Sequence, residues 1–105
     1  MKRIAIFASG KGSNAENIVK YFKKSNTIKV ELIASNNANA GVLDRIKKHG
    51  IKTFIFDKLE LTNGKVLQAL QSQKIDFIVL AGFLLKIPKT IIQIYLNKII
   101  NIHPS

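Results

Sequence analysis

Cysteine is missing from this chain, which excludes a disulfide framework and any thiolate metal site and fits a reducing cytoplasm. Acidic residues are scarce as well: six Asp and Glu stand against 17 Lys and Arg, for a formal net charge of +11. No apolar run approaches the roughly 18 residues or more of a membrane span, so no membrane partner is expected. The basic opening Met1-Lys2-Arg3-Ile4 has the start of a secretory signal, but the apolar run behind it breaks at Ser9-Gly10, too early for one. Internal repeats, linkers and low-complexity tracts are absent too. The 105 residues, 47% of them hydrophobic, are therefore expected to build one core and a single α/β domain, 1–105.

The charge invites a nucleic-acid reading, and the distribution of that charge argues against it. Only Arg3 and Arg45 are arginines; the lysines are scattered through every segment. Lys23-Lys24 and Lys47-Lys48 fall in the last turns of predicted helices, where the dipole favours cations anyway. A chain so rich in Ile, Lys and Asn also carries the mark of a genome-wide bias. A solvated basic surface that attracts anionic small molecules is the expectation, with no dedicated nucleic-acid face.

What is present is a regular alternation. Residues 3–8, 28–34, 52–56, 76–81 and 98–102 read as strands; the first and fourth are apolar nearly throughout, as in parallel strands buried on both faces. Helices are predicted over about 13–25, 40–49 and 62–73, with a short one from Pro88 to about Tyr95. Ser13 and Glu16 have capping-box spacing, Gly50 is a helix stop, Asp57–Leu61 reads as a turn, and Pro88 suits a first helical position. The fold class that follows is α/β: a doubly wound, mostly parallel sheet with helices on both faces.

In such sheets ligands sit at the carboxyl ends of strands. There the stretch Ser9-Gly10-Lys11-Gly12-Ser13-Asn14 turns from the first strand into the first helix. Glycines at 10 and 12 permit positive φ and close approach to the main chain, and the helix start supplies free N–H groups and positive potential. The match to a dinucleotide fingerprint is weak alone, and the second strand ends in Ser35-Asn36-Asn37 without the acid that would hold a ribose. No nucleoside-triphosphate loop is present either. A single phosphate on a smaller ligand fits best; the competing reading is a glycine turn that binds nothing. Gly82–Leu85 and Asn101–His103 converge on the same rim, with Asn36-Asn37 flanking. Asn101 and His103, one residue apart, point the same way on an extended strand, which makes His103 a catalytic candidate. His49, beside Gly50, reads as an ordinary polar residue at a helix end.

Three motifs, Ser9-Gly10-Lys11-Gly12-Ser13-Asn14, Leu80-Ala81-Gly82-Phe83 and Asn101-Ile102-His103-Pro104-Ser105, resemble the phosphoribosylglycinamide formyltransferases of purine biosynthesis in order and in spacing. The resemblance covers the whole chain and implies a Rossmann-like formyltransferase fold. It implies that Gly12, Ser13 and Asn14 bind the phosphate of glycinamide ribonucleotide. Leu84, Leu85, Lys86 and Ile87 would line the pterin of 10-formyltetrahydrofolate, Asn101 would hold the formyl oxygen, and His103 would donate the proton. No metal is implied. Many relatives have arginine where this chain has Leu85. The family also continues for about as many residues again, supplying an aspartate that Asp44, Asp57 and Asp76 do not match. The resemblance thus implies an N-terminal half that binds phosphate, barely catalyses alone, and exposes an edge prone to self-association. Two alternatives stand beside it: another 10-formyltetrahydrofolate-dependent enzyme such as methionyl-tRNA formyltransferase, and a non-catalytic phosphate-binding fragment.

Overall fold

The computed structural model describes residues 1–102. Five strands, β1 (Lys2–Phe7), β2 (Ile28–Ser35), β3 (Lys52–Ile55), β4 (Phe77–Ala81) and β5 (Ile99–Ile102), form one sheet in the order β3-β2-β1-β4-β5, with every neighbouring pair parallel. Parallel pairing requires crossovers, and helices supply them. The helices are α1 (Ser13–Phe22), α2 (Gly41–Lys47), α3 (Lys58–Thr62), α4 (Lys65–Ser72) and α5 (Lys89–Ile94).

The strand order explains the two cores. From β1 the chain winds outward through β2 to β3, then returns to place β4 on the other side of β1. Ala15, Val19, Val42 and Ile46 of α1 and α2 pack against Ile4, Ile6 and Val79 on one face. Leu61, Val66, Leu70 and Ile91 of α3, α4 and α5 pack against Ala5, Phe7 and Ile78 on the other. Central β1 is therefore buried on both sides, which is why Ile4–Phe7 are apolar without alternation. The edges are less protected: Ile55 on β3 and Ile100 on β5 are each about half exposed, 49% and 54%.

Local chemistry corrects three expectations and adds to a fourth. Helix α1 is capped by Gly12 in a left-handed conformation (φ 80°), and no side chain caps it; the Ser13–Glu16 capping box does not form because Glu16 turns to partners on α2. The box forms instead between Asp57 and Glu60, so the segment expected to be a turn is α3. Pro88 is the residue before α5, extended at ψ 156°, rather than its first helical residue. His49, expected only as an ordinary polar residue at a helix end, has an imidazole 8% exposed that meets Glu16 at 3.1 Å.

Candidate functional site at the strand ends

The sheet reverses its winding between β1 and β4, and loops leaving two adjacent strands at such a point open a crevice between them. The β1 loop begins at Ser9, which is 6% exposed. Its N–H donates to the Gly82 carbonyl at 3.2 Å, and its Oγ donates to Asn36 Oδ1 at 2.6 Å while accepting the Leu84 N–H at 3.0 Å. One hydroxyl thus joins the ends of β1, β2 and β4.

Beyond Ser9 the loop rests on α2. The Val42 N–H donates to the Gly10 carbonyl at 3.0 Å. A Cβ at position 12 would strike the Val42 side chain and come within 2.7 Å of its Cα, so at φ 80° only glycine fits. Gly10 is different: nothing lies within 4 Å of where its Cβ would be, so it is not required sterically there, and that side of the loop is open. Exposed Ser13 and half-buried Asn14 follow, opening the ten-residue α1. The first N–H groups of a helix have no intrahelical acceptor, and no side chain caps them here. Such unbonded donors are the arrangement that suits an anion.

The β4 loop forms the other wall. Leu84, Leu85, Lys86 and Ile87 all line a cavity of about 660 Å³, closed by Lys58, Leu61 and Thr62 of α3 and by Pro88, Lys89 and Ile92 at α5. Phe83 anchors this wall from below, its ring edge-on to Phe7 at 5.3 Å and 6.0 Å from Phe56. Asn101 lies on edge strand β5, exposed, in register with Leu80, which is in turn in register with Phe7. Two strand spacings separate it from β1, roughly 10 Å. Ile99 packs on the same core as Phe7 and Phe83, and strand alternation gives Asn101 that face of the sheet. His103 lies outside the described residues.

Five of the six acidic side chains are bonded within the chain. Asp57 caps α3, Asp76 accepts the Arg3 N–H at 2.8 Å, and Glu31 pairs with Lys29 at 3.1 Å. Glu16 sits one turn inside α1, where His49 Nε2 (3.1 Å), Lys48 Nζ (3.2 Å) and Arg45 Nη1 (3.2 Å) surround its carboxylate. The bond from His49, with those from the two cations, holds the Glu16 pKa down at about 2 against the resistance of burial. Its carboxylate, one turn inside α1, is thereby committed to an imidazole and two cations rather than left free near the helix start.

A family model described as formyl transferase matches residues 2–105. The chain belongs to the formyl transferase family. All of it aligns at 36% identity with the phosphoribosylglycinamide formyltransferase of Bacillus subtilis (strain 168), of which it covers 57%. The crystal structure of phosphoribosylglycinamide formyltransferase from Anaplasma phagocytophilum superimposes with a TM-score of 0.90 at 34% identity, covering 99% of this chain and 50% of that one. Glycinamide ribonucleotide transformylase 1 from Geobacillus kaustophilus gives a TM-score of 0.90 at 34% identity, with 100% and 59% covered. The chain thus spans between 50% and 59% of the length of these three relatives.

For a formyl transferase, the structure gathers Gly12, Ser13, Asn14 and the 84–87 segment on one rim and sets Asn101 two strands away on the same edge of the sheet. Sequence reading gave Ser9 no role, since its partners lie 27 and 75 residues distant. Its only local signal is a hydroxyl at the end of an apolar strand just before glycine. Lys58, Thr62 and Lys89, the polar residues closing the larger cavity, carried no motif at all. A second cavity, about 310 Å³ and lined by Phe22, Ile28 and His49 among others, opens at the opposite end of the strands, away from this rim.

Proposed function

We propose that this chain is the phosphate-binding part of a phosphoribosylglycinamide formyltransferase of de novo purine biosynthesis, working in the cytoplasm as one α/β domain over 1–105. The observation that carries the reading is the α1 start, free of any side-chain cap behind left-handed Gly12 at the switch point of the sheet, in a chain whose whole length aligns with 57% of an enzyme of that name. The phosphate of glycinamide ribonucleotide sits on the N–H groups of Ser13 and Asn14, with the open side of Gly10–Gly12 admitting its oxygens. The formyl donor is 10-formyltetrahydrofolate, its pterin in the cavity bounded by Leu84–Ile87. A ribose bearing a glycyl amide extends from the loop toward β5, across the roughly 10 Å that two strand spacings leave.

The chemistry then follows from charge. The amine lone pair attacks the formyl carbon and the carbonyl oxygen gains negative charge. The tetrahedral centre collapses by breaking its bond to the folate nitrogen, which takes up a proton as the former amine releases one. The Asn101 amide donates to the developing oxyanion, and His103 supplies the proton; donors aimed at that oxygen favour the transition state over the planar ground state. No metal enters these steps. Formyl transfer from the 105-residue chain alone is expected to be slight, as it spans about half the length of its relatives.

Titration with glycinamide ribonucleotide, followed by amide NMR, tests the binding half. Saturable shifts at Gly12–Asn14 are expected, and their absence would overturn the reading. For catalysis, His103→Ala in a full-length context should lower formyl transfer about a hundredfold or more while leaving those shifts in place. An unchanged rate would remove His103 from the mechanism.

A further inference from the structure

Ser9 makes contacts that the phosphate reading does not use. Its hydroxyl proton is committed to Asn36 Oδ1 at 2.6 Å, which turns an oxygen lone pair toward the Leu84 N–H at 3.0 Å. Its own N–H holds the Gly82 carbonyl at 3.2 Å. The first residue of the β1 loop is therefore fastened twice to the first turn of the β4 loop. At 6% exposure, water does not readily replace either bond. Four residues along the same loop stand the free N–H groups of α1; one residue past the Leu84 amide, the 84–87 segment continues as the wall of the 660 Å³ cavity.

From this we infer that Ser9 is a positioning residue that couples the two subsites: an anion on Gly12–Asn14 fixes the β1 loop, and Ser9 passes that restraint to the wall at Leu84–Ile87. The inference rests on the proposed phosphate site but goes beyond it, since it makes the shape of the second cavity depend on occupancy of the first. Coupling of this kind is reciprocal, so a ligand held by Leu84–Ile87 must tighten the anion by the same factor. Asn36, by orienting the hydroxyl, is part of the device; without it the hydroxyl is free to rotate away from Leu84.

The test uses the 105-residue chain, inorganic phosphate, and amide NMR of the wild type, Ser9→Ala and Ser9→Thr. In the wild type, phosphate should shift Gly12–Asn14 and, with the same midpoint, Leu84–Ile87. In Ser9→Ala the first set of shifts should persist and the second should fall severalfold, since only the backbone bond to Gly82 remains; Ser9→Thr, which keeps the hydroxyl, should restore it. Should threonine be too large for the buried position, Asn36→Ala gives an independent reading: the Leu84–Ile87 response should shrink while Gly12–Asn14 still shift. A Leu84–Ile87 response that survives Ser9→Ala undiminished, or a wild type that shifts only at Gly12–Asn14, would overturn the coupling alone. No shift at Gly12–Asn14 in the wild type would instead overturn the phosphate site, and the coupling with it.

Discussion

Helix α1 carries two polar clusters one turn apart, and they are built in opposite ways. At its start, behind Gly12, no side chain caps the Ser13 and Asn14 N–H groups, which face an open rim. One turn on, Glu16 is almost wholly buried and is met by an imidazole, an ammonium and a guanidinium. Polar groups inside proteins nearly always find partners. Where they find them within the chain, the cluster fixes the fold, here by joining α1 to α2. Where the chain withholds partners at a helix start, it leaves a place for something else. Glu16 shows the choice directly: by serving α2 it gives up the capping role that its spacing from Ser13 offered.

Substitution at Gly12 would break the open end most severely. Valine there would have to hold a left-handed backbone and overlap Val42, each costing about 1–3 kcal/mol. Gly12→Val should therefore lower the urea midpoint markedly and abolish phosphate binding, whereas Gly10→Ala, with nothing within 4 Å, should fold normally. If Gly12→Val kept wild-type stability and still bound phosphate, the tight seating of the loop on α2 would be wrong.

Glu16→Gln probes the closed end with a smaller effect. The amide still reaches His49 but no longer neutralises Arg45 and Lys48, both of them partly exposed. The denaturation midpoint should fall by less than for Gly12→Val, and phosphate should still shift Gly12–Asn14. Loss of phosphate binding in a folded Glu16→Gln protein would erase the distinction between the two clusters.

The difference between the clusters also marks how far the sequence could be read. Strands such as Ile4–Phe7 and Phe77–Ala81 were legible because burial on both faces leaves an apolar run that needs no distant information. The turn from β1 into α1 through Gly12 was legible for a similar reason, its signal being local to 9–14. Glu16 misled because its partners lie 29 to 33 residues away, on α2 and just past its end, and no local pattern reports which bond wins. Ser9 was passed over on the same grounds. The Asp57–Glu60 box is another matter: both residues were in plain view at capping spacing, but so short a helix has little periodicity to set against the turn signals around it. Convergence of Gly10–Asn14 with Gly82–Leu85 needed only the topology rule for doubly wound sheets, so the rim was foreseeable while the bonds that stitch it together were not.

Acid provides the finest probe of the contrast. The Glu16 carboxyl is held at about 2 in the folded chain against an ordinary value of 4.5, so the unfolded chain takes up its proton first. A depressed carboxylate contributes stability that is complete above the unfolded value and disappears as pH falls through the folded one. The wild-type urea midpoint should thus exceed that of Glu16→Gln at about pH 4.5, and the gap should close as pH falls from there to about pH 2. Salt should narrow the gap only in part, since Glu16 itself is shielded even though Lys48 is exposed. Glutamine does not titrate, so the difference between the two curves isolates this one group from the other five acids. A gap that stayed constant down to pH 2 would mean that the three partners hold Glu16 by shape rather than by charge.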